Sequence, residues 1–149
     1  MELETDQLTG LPTFAGLRPA LGEPAAAIFL DVDGLRFVNH QSGHLAGDDV
    51  LAAIGAWLKK EAAERQGLAF RVAGDEFILL LPGRTLDDAV AIAGELVAAQ
   101  LRTVTLSAVV FLADRNLPDN LRGTLESFAE KLYQRELAGG RAYGNVVTA

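Results

Sequence analysis

The chain has 149 residues, half of them hydrophobic, so it can bury one core without covalent staples. It contains no cysteine, which excludes disulfides, thiolate catalysis and cysteine-ligated zinc, and its two histidines leave little scope for a histidine-rich metal site. A formal net charge of −7 gives no cationic footprint for nucleic acid or anionic membrane, although an anionic small molecule stays open to it if a cation supplies the local positive charge. No window approaches the roughly 18 uninterrupted apolar residues of a membrane span. The opening Met1-Glu2-Leu3-Glu4 lacks the features of a secretory signal, so we expect one cytoplasmic domain over residues 1–149.

In chain order, Pro24 to Asp31 (PAAAIFLD) is a continuous apolar run ending in an acid, the pattern of a strand buried on both faces. Gly34-Leu35-Arg36 opens a short helical turn. From Leu45 to Glu64 the apolar positions Leu45, Val50, Leu51, Ile54, Trp57 and Leu58 recur at helical spacing, with Asp48 and Asp49 early and Lys59 and Lys60 late, as the helix dipole favours. Leu68 to Arg71 and Phe77 to Leu81 read as a β-hairpin whose tip, Val72-Ala73-Gly74-Asp75-Glu76, carries two acids. Asp87 to Leu101 is Ala-rich and helical, Thr103 to Leu112 is β-branched and strand-like, and 121–138 returns to a helical period. A short 145–148 strand closes the chain. The order strand, helix, hairpin, helix, strand, helix, strand implies one mixed sheet with helices packed on it.

The chemistry concentrates at two strand ends. Asp31 and Asp33 frame a D-V-D-G sequence after the first strand, and Asp75 and Glu76 come close to Asp31 if the hairpin pairs beside that strand. Clustered carboxylates repel unless a cation lies between them, and Mg²⁺ needs only one or two of them plus waters and substrate phosphates. Gly34-Leu35-Arg36 follows directly, offering backbone N–H groups and one positive charge to a phosphate. An apolar strand followed by D-x-D-G also opens haloacid-dehalogenase-type phosphatases, with Asp31 as nucleophile and Asp33 as acid. That alternative requires the later motifs on successive parallel strands, an order the hairpin interrupts.

Arg71-Val72-Ala73-Gly74-Asp75-Glu76-Phe77 resembles the signature of GGDEF domains, the diguanylate cyclases, with Ala73 in the first glycine position. Three further segments are similar to motifs of that family: Asp6-Gln7-Leu8-Thr9-Gly10-Leu11-Pro12, the stretch from Phe29 to His40, and the block from Gly43 to Leu51. The resemblance implies a nucleotidyl-cyclase-like α/β (α+β) fold with a central, mostly antiparallel five-stranded sheet surrounded by helices. It also implies the residue roles. Asp31, Asp75 and the Val32 carbonyl would hold Mg²⁺ or Mn²⁺, Glu76 would assist activation of the ribose 3′-hydroxyl, and Asn39 with Asp48 would read guanine. Gly34, Leu35 and Arg36 would cradle phosphate, with Arg71 and Gly74 also at the substrate. The implied activity condenses two GTP into cyclic di-GMP and pyrophosphate across two facing domains, a transient homodimer that a regulatory domain or protein outside this chain would promote.

The departures from the family pattern define a second expectation, a degenerate domain that holds GTP, or only a protein partner, and signals without turnover. Ala73 adds a Cβ beside the tip, Asn39-His40 lacks the acid that usually follows Asn, and Val109 stands where the family's S-x-G has glycine, a matter of packing. Glu136 occupies the position of a phosphate-clamping lysine on the last helix, with Lys131 and Arg135 as possible substitutes. The family's inhibitory product site, R-x-x-D, is replaced by Glu64-Arg65-Gln66-Gly67, so feedback inhibition there is not expected.

Overall fold

The structure is a computed structural model that describes residues 3–99, 101, 104–114, 116–117, 119–127, 130 and 146–148. The apolar run becomes β1 (Ala25–Asp33), which ends two residues beyond its sequence pattern, and lies in the middle of a five-stranded sheet. With β2 (Leu68–Ala73), β3 (Glu76–Pro82), β4 (Thr105–Ala113) and the three-residue β5 (Val146–Thr148), the order is β2-β3-β1-β4-β5. β1 runs antiparallel to both β3 and β4, and only β5 pairs in parallel, with β4. The sheet is therefore mostly antiparallel, as expected. The phosphatase alternative fails on this point, because it needs parallel neighbours on either side of β1.

Side-chain period two divides β1 between two cores. Ala26, Ile28, Leu30 and Val32 face a cluster built with α2 (Leu35–Ser42), α3 (His44–Ala63) and α4 (Leu86–Val97). Ala25, Ala27 and Phe29 face the other side, where they meet Leu17 and Leu21 and, from a helix over residues 121–127 (α5), Leu121 and Leu125. Both faces of β1 are thus covered, which is why its sequence shows no polar alternation.

Several boundaries differ from expectation for local reasons. The short turn after β1 extends into an eight-residue helix, α2, and residues 14–20 form a 3₁₀ turn with a short helix, α1 (Leu17–Ala20), that the sequence pattern did not announce. α4 starts on a reciprocal cap in which Thr85 and Asp88 each bond the other's backbone N–H, and it stops at Val97 rather than Leu101. Leu45 does not belong to the buried stripe of α3; it is 81% exposed at the helix start. The remainder of the last predicted helix, with Lys131, Arg135 and Glu136, lies outside the described residues. No helix among the described residues is long and apolar enough to cross a membrane.

Candidate active site

Register and parity assemble the acids. Asp31 has the same parity as Ala27 and Phe29, so it points to the α5 side of the sheet, and its Cα partners are Glu76 on β3 and Ser107 on β4. Like charges directly opposite on neighbouring strands are unfavourable unless something compensates them. The hairpin turns at Gly74-Asp75, and the Val32 N–H donates to the Asp75 carbonyl at 2.9 Å, which ties the tip to β1 beside Asp31.

The tip is braced from behind. Asp6 accepts from the Thr9 backbone N–H and hydroxyl, both at 2.8 Å, and from Arg71 Nη1 at 3.0 Å, while Arg71 Nη2 and Nε donate to the Gly74 carbonyl. Against the upward pull of burial, these Thr9 and Arg71 contacts hold the Asp6 carboxyl below the usual carboxylate range. Arg71 was expected at the substrate. Here it makes this brace beside the tip and is not among the residues that line the cleft.

The acids line an open cleft of about 770 Å³ together with Val32, Gly34, Leu35 and Arg36. Gly34 sits at φ +86° as the left-handed residue before α2, a conformation that favours glycine, and no side chain caps the helix, so its first N–H groups stay available to a ligand. A second lobe of about 570 Å³ shares Leu35, Arg36, His40 and Asp75 and adds Asn39 and His44. Asn39 Oδ1 is buried with no hydrogen-bond partner among the described residues. It fits against α3 because residue 47 is glycine: a Cβ there would stand 1.7 Å from that oxygen. Asp48, the next residue, is exposed at the start of α3, and Asn39 of the expected guanine-reading pair lines the second lobe.

Burial first, and charge crowding second, set the electrostatics. Burial, then the neighbouring Asp75, Glu76, Asp33 and Glu126, pushes the Asp31 carboxyl up to about 7. Burial and a hydrogen bond with Glu126 push Glu76 up to about 7, with Arg122 opposing them. Burial also raises Asp75, while Arg36 pulls it back. Among the described residues no three acidic or imidazole groups form a ready-made metal cage. Mg²⁺ does not require one, and under-compensated hard oxygen donors beside an open cleft suit it or Mn²⁺. Asp33, which also lines the cleft, spends part of its acceptor capacity on hydroxyl bonds from Ser107 (2.9 Å) and Thr105 (3.1 Å).

Two departures are accommodated by the backbone and the core. Ala73 lies in strand β2 paired with Glu76, and its φ is not in the left-handed region, so the extra methyl costs no backbone strain. Val109 is buried in the core, which makes it the packing change expected. The sequence reading missed the cleft's remaining wall: Glu126 and Glu130 from the last helix line it, and Arg122 Nε donates to Glu76 Oε1 at 3.0 Å. Their spacing of four, a single helix face, was the signal that could have found them.

A mostly antiparallel sheet with acids gathered at the β1 end and the β2–β3 tip is the architecture of GGDEF domains. The GGDEF domain of TpbB (YfiN) from Pseudomonas aeruginosa superposes with a TM-score of 0.77 at 26% identity, over 98% of this chain and 94% of that one. The family profile described as "Diguanylate cyclase, GGDEF domain" matches residues 4–114, and the chain belongs to that family. DgcI of Escherichia coli K12, named a probable diguanylate cyclase, is 31% identical over 109 residues, 73% of this chain and 25% of its own length. The diguanylate cyclase DgcP of Pseudomonas aeruginosa is 38% identical over 93 residues, 56% of this chain and 14% of its own. The chain thus spans a quarter or less of these two relatives.

Proposed function

We propose that the chain forms one cytoplasmic diguanylate cyclase domain over residues 1–149, which condenses two GTP into cyclic di-GMP and pyrophosphate. The observation that carries this reading is the joining of two unlike lobes: Asp31, Asp75 and Glu76 line the first, and Asn39 lines the second. The side-chain amide of Asn39 carries both a donor and an acceptor, the kinds of group that pair with a guanine edge. Arg36 and the first N–H groups of α2 lie between the lobes, where a nucleotide's phosphates would pass.

In this reading Asp31, Asp75 and the Val32 carbonyl hold Mg²⁺ or Mn²⁺, which supplies charge neutralisation at the reacting phosphate when bound. Glu76 takes the proton of a ribose 3′-hydroxyl; a carboxyl whose affinity for protons is set near neutrality suits that task. The 3′-oxygen forms a bond to the α-phosphorus of the facing nucleotide and the bond to the β-phosphate bridge breaks, releasing pyrophosphate. Two such events need two facing domains, so the partners are GTP, a second GGDEF domain in a transient homodimer, and a regulatory domain or protein that brings the pair together.

A second reading, a degenerate domain that binds GTP or a protein without turnover, is favoured by one observation. Glu126 and Glu130 line the cleft, where they repel a triphosphate. The test is product chromatography after incubation with GTP and Mg²⁺, using the domain free and fused to a dimeric coiled coil, with Asp75→Ala as control. Cyclic di-GMP from the fusion, abolished in the control, supports the cyclase. No product despite calorimetric GTP binding supports the second reading.

A further inference from the structure

α5 presents two faces with different tasks. Leu121 and Leu125 are buried and anchor it on the Phe29 side of the sheet. One residue on from each, Arg122 and Glu126 form a second row, four apart, at the edge of the cleft. Arg122 Nη2 stands 3.4 Å from Glu126 Oε2, and Arg122 Nε donates to Glu76 Oε1 at 3.0 Å. The Glu76 side chain is only 10% exposed and that of Arg122 is 47% exposed, so the guanidinium reaches inward from the solvent side. Among the described residues this is the one ion pair that Glu76 makes.

Glu has three side-chain torsions, and a charge-assisted bond to one oxygen removes much of that freedom. We propose that Arg122 is a positioning residue for Glu76: it fixes one carboxylate oxygen toward α5 so that the other faces the reacting hydroxyl. This role rests on the cyclase reading. Glu126 opposes it, because it draws on the same guanidinium and brings another negative charge beside Glu76. Substitutions at the two ends of this row should therefore act with opposite signs, which a merely structural contribution of α5 would not produce. Nor would a phosphate clamp, whose loss raises KM for GTP.

The test is steady-state kinetics on the coiled-coil fusion, comparing the wild type with Arg122→Gln, Arg122→Lys and Glu126→Gln, with melting curves for each. We expect Arg122→Gln to lower kcat by roughly ten- to a hundredfold, the scale of a misplaced catalytic group, with KM for GTP within about twofold. Arg122→Lys recovers part of kcat, Glu126→Gln raises it, and melting changes little because neither side chain is anchored in the core. An unchanged kcat in Arg122→Gln, a rise in KM alone, or parallel losses in Arg122→Gln and Glu126→Gln would each overturn the assignment while leaving the cyclase reading intact. Absence of cyclic di-GMP from the wild-type fusion overturns the cyclase reading and this role with it.

Discussion

Asp31→Asn should make the metal-free protein more stable. The Asp31 carboxyl is raised from 3.8 to about 7 in the folded state, first by burial and then by the acids around it. A group whose folded pKa is raised contributes its full stability below the unfolded value and loses it as pH rises through the folded one, so the decline spans about pH 4 to 7. A gap of about 3 units corresponds to at most about 4 kcal/mol. Water in the open cleft screens the repulsion, and Glu76 titrates in the same range, so an expected gain for the neutral amide is about 2 kcal/mol above about pH 7. For a chain of this size that is roughly 4–8 °C in Tm. The assay is thermal and urea unfolding in chelator near pH 4 and near pH 8, with Mg²⁺ then restored. The wild type should be the less stable protein at the higher pH, recover with Mg²⁺, and match Asp31→Asn at the lower. A wild type equally stable at both pH values, together with no gain from the amide, would refute the claim that these carboxylates are crowded and under-compensated.

Gly55→Ala should destabilise by about 1–3 kcal/mol, because its Cβ would sit 2.6 Å from Thr9 Cβ and 3.2 Å from Thr9 Cα, backbone that cannot yield cheaply. Gly47→Ala meets only the end of the Asn39 side chain, so unfolding should show little or no loss while calorimetry shows GTP binding weakened by about tenfold or more. Arg71→Met removes the cation from Asp6 and the donors from the Gly74 carbonyl; a loss of about 1–3 kcal/mol in urea unfolding is expected, largest at neutral pH where Asp6 is ionised. Cyclic di-GMP should not inhibit through the surface at Glu64 to Gly67, since Arg65 is already paired with Glu61 and Glu95; submicromolar inhibition abolished by Arg65→Ala would contradict this.

Much of the site could be read because it is local. The hairpin tip, the acid at the end of an apolar strand and the glycine that starts α2 are each signalled within a few residues, and a period of two already puts Asp31 on the face of Ala27 and Phe29. The four ordered motifs of the GGDEF resemblance lie on these same segments. What the sequence left open concerned partners distant along the chain. Asp48 and Arg71 were assigned to the substrate by motif; the structure leaves Asp48 exposed and pairs Arg71 with Asp6, 65 residues away.

The sequence by itself determined which residues are acids, which strand ends carry them and which of them share a face, because side-chain direction along a strand is a matter of backbone geometry alone. Only the tertiary structure decided what covers that face. Apolar helix faces are chemically alike, so nothing in the pattern of residues 121–127 says on which side of the sheet they dock. Once Leu121 and Leu125 pack against Phe29, Arg122 and Glu126 are carried to Glu76, while the pairing of β4 with β1 brings Ser107 and Thr105 to Asp33. The chemistry of each group follows from its residue type, and its role follows from the neighbours that long-range packing supplies.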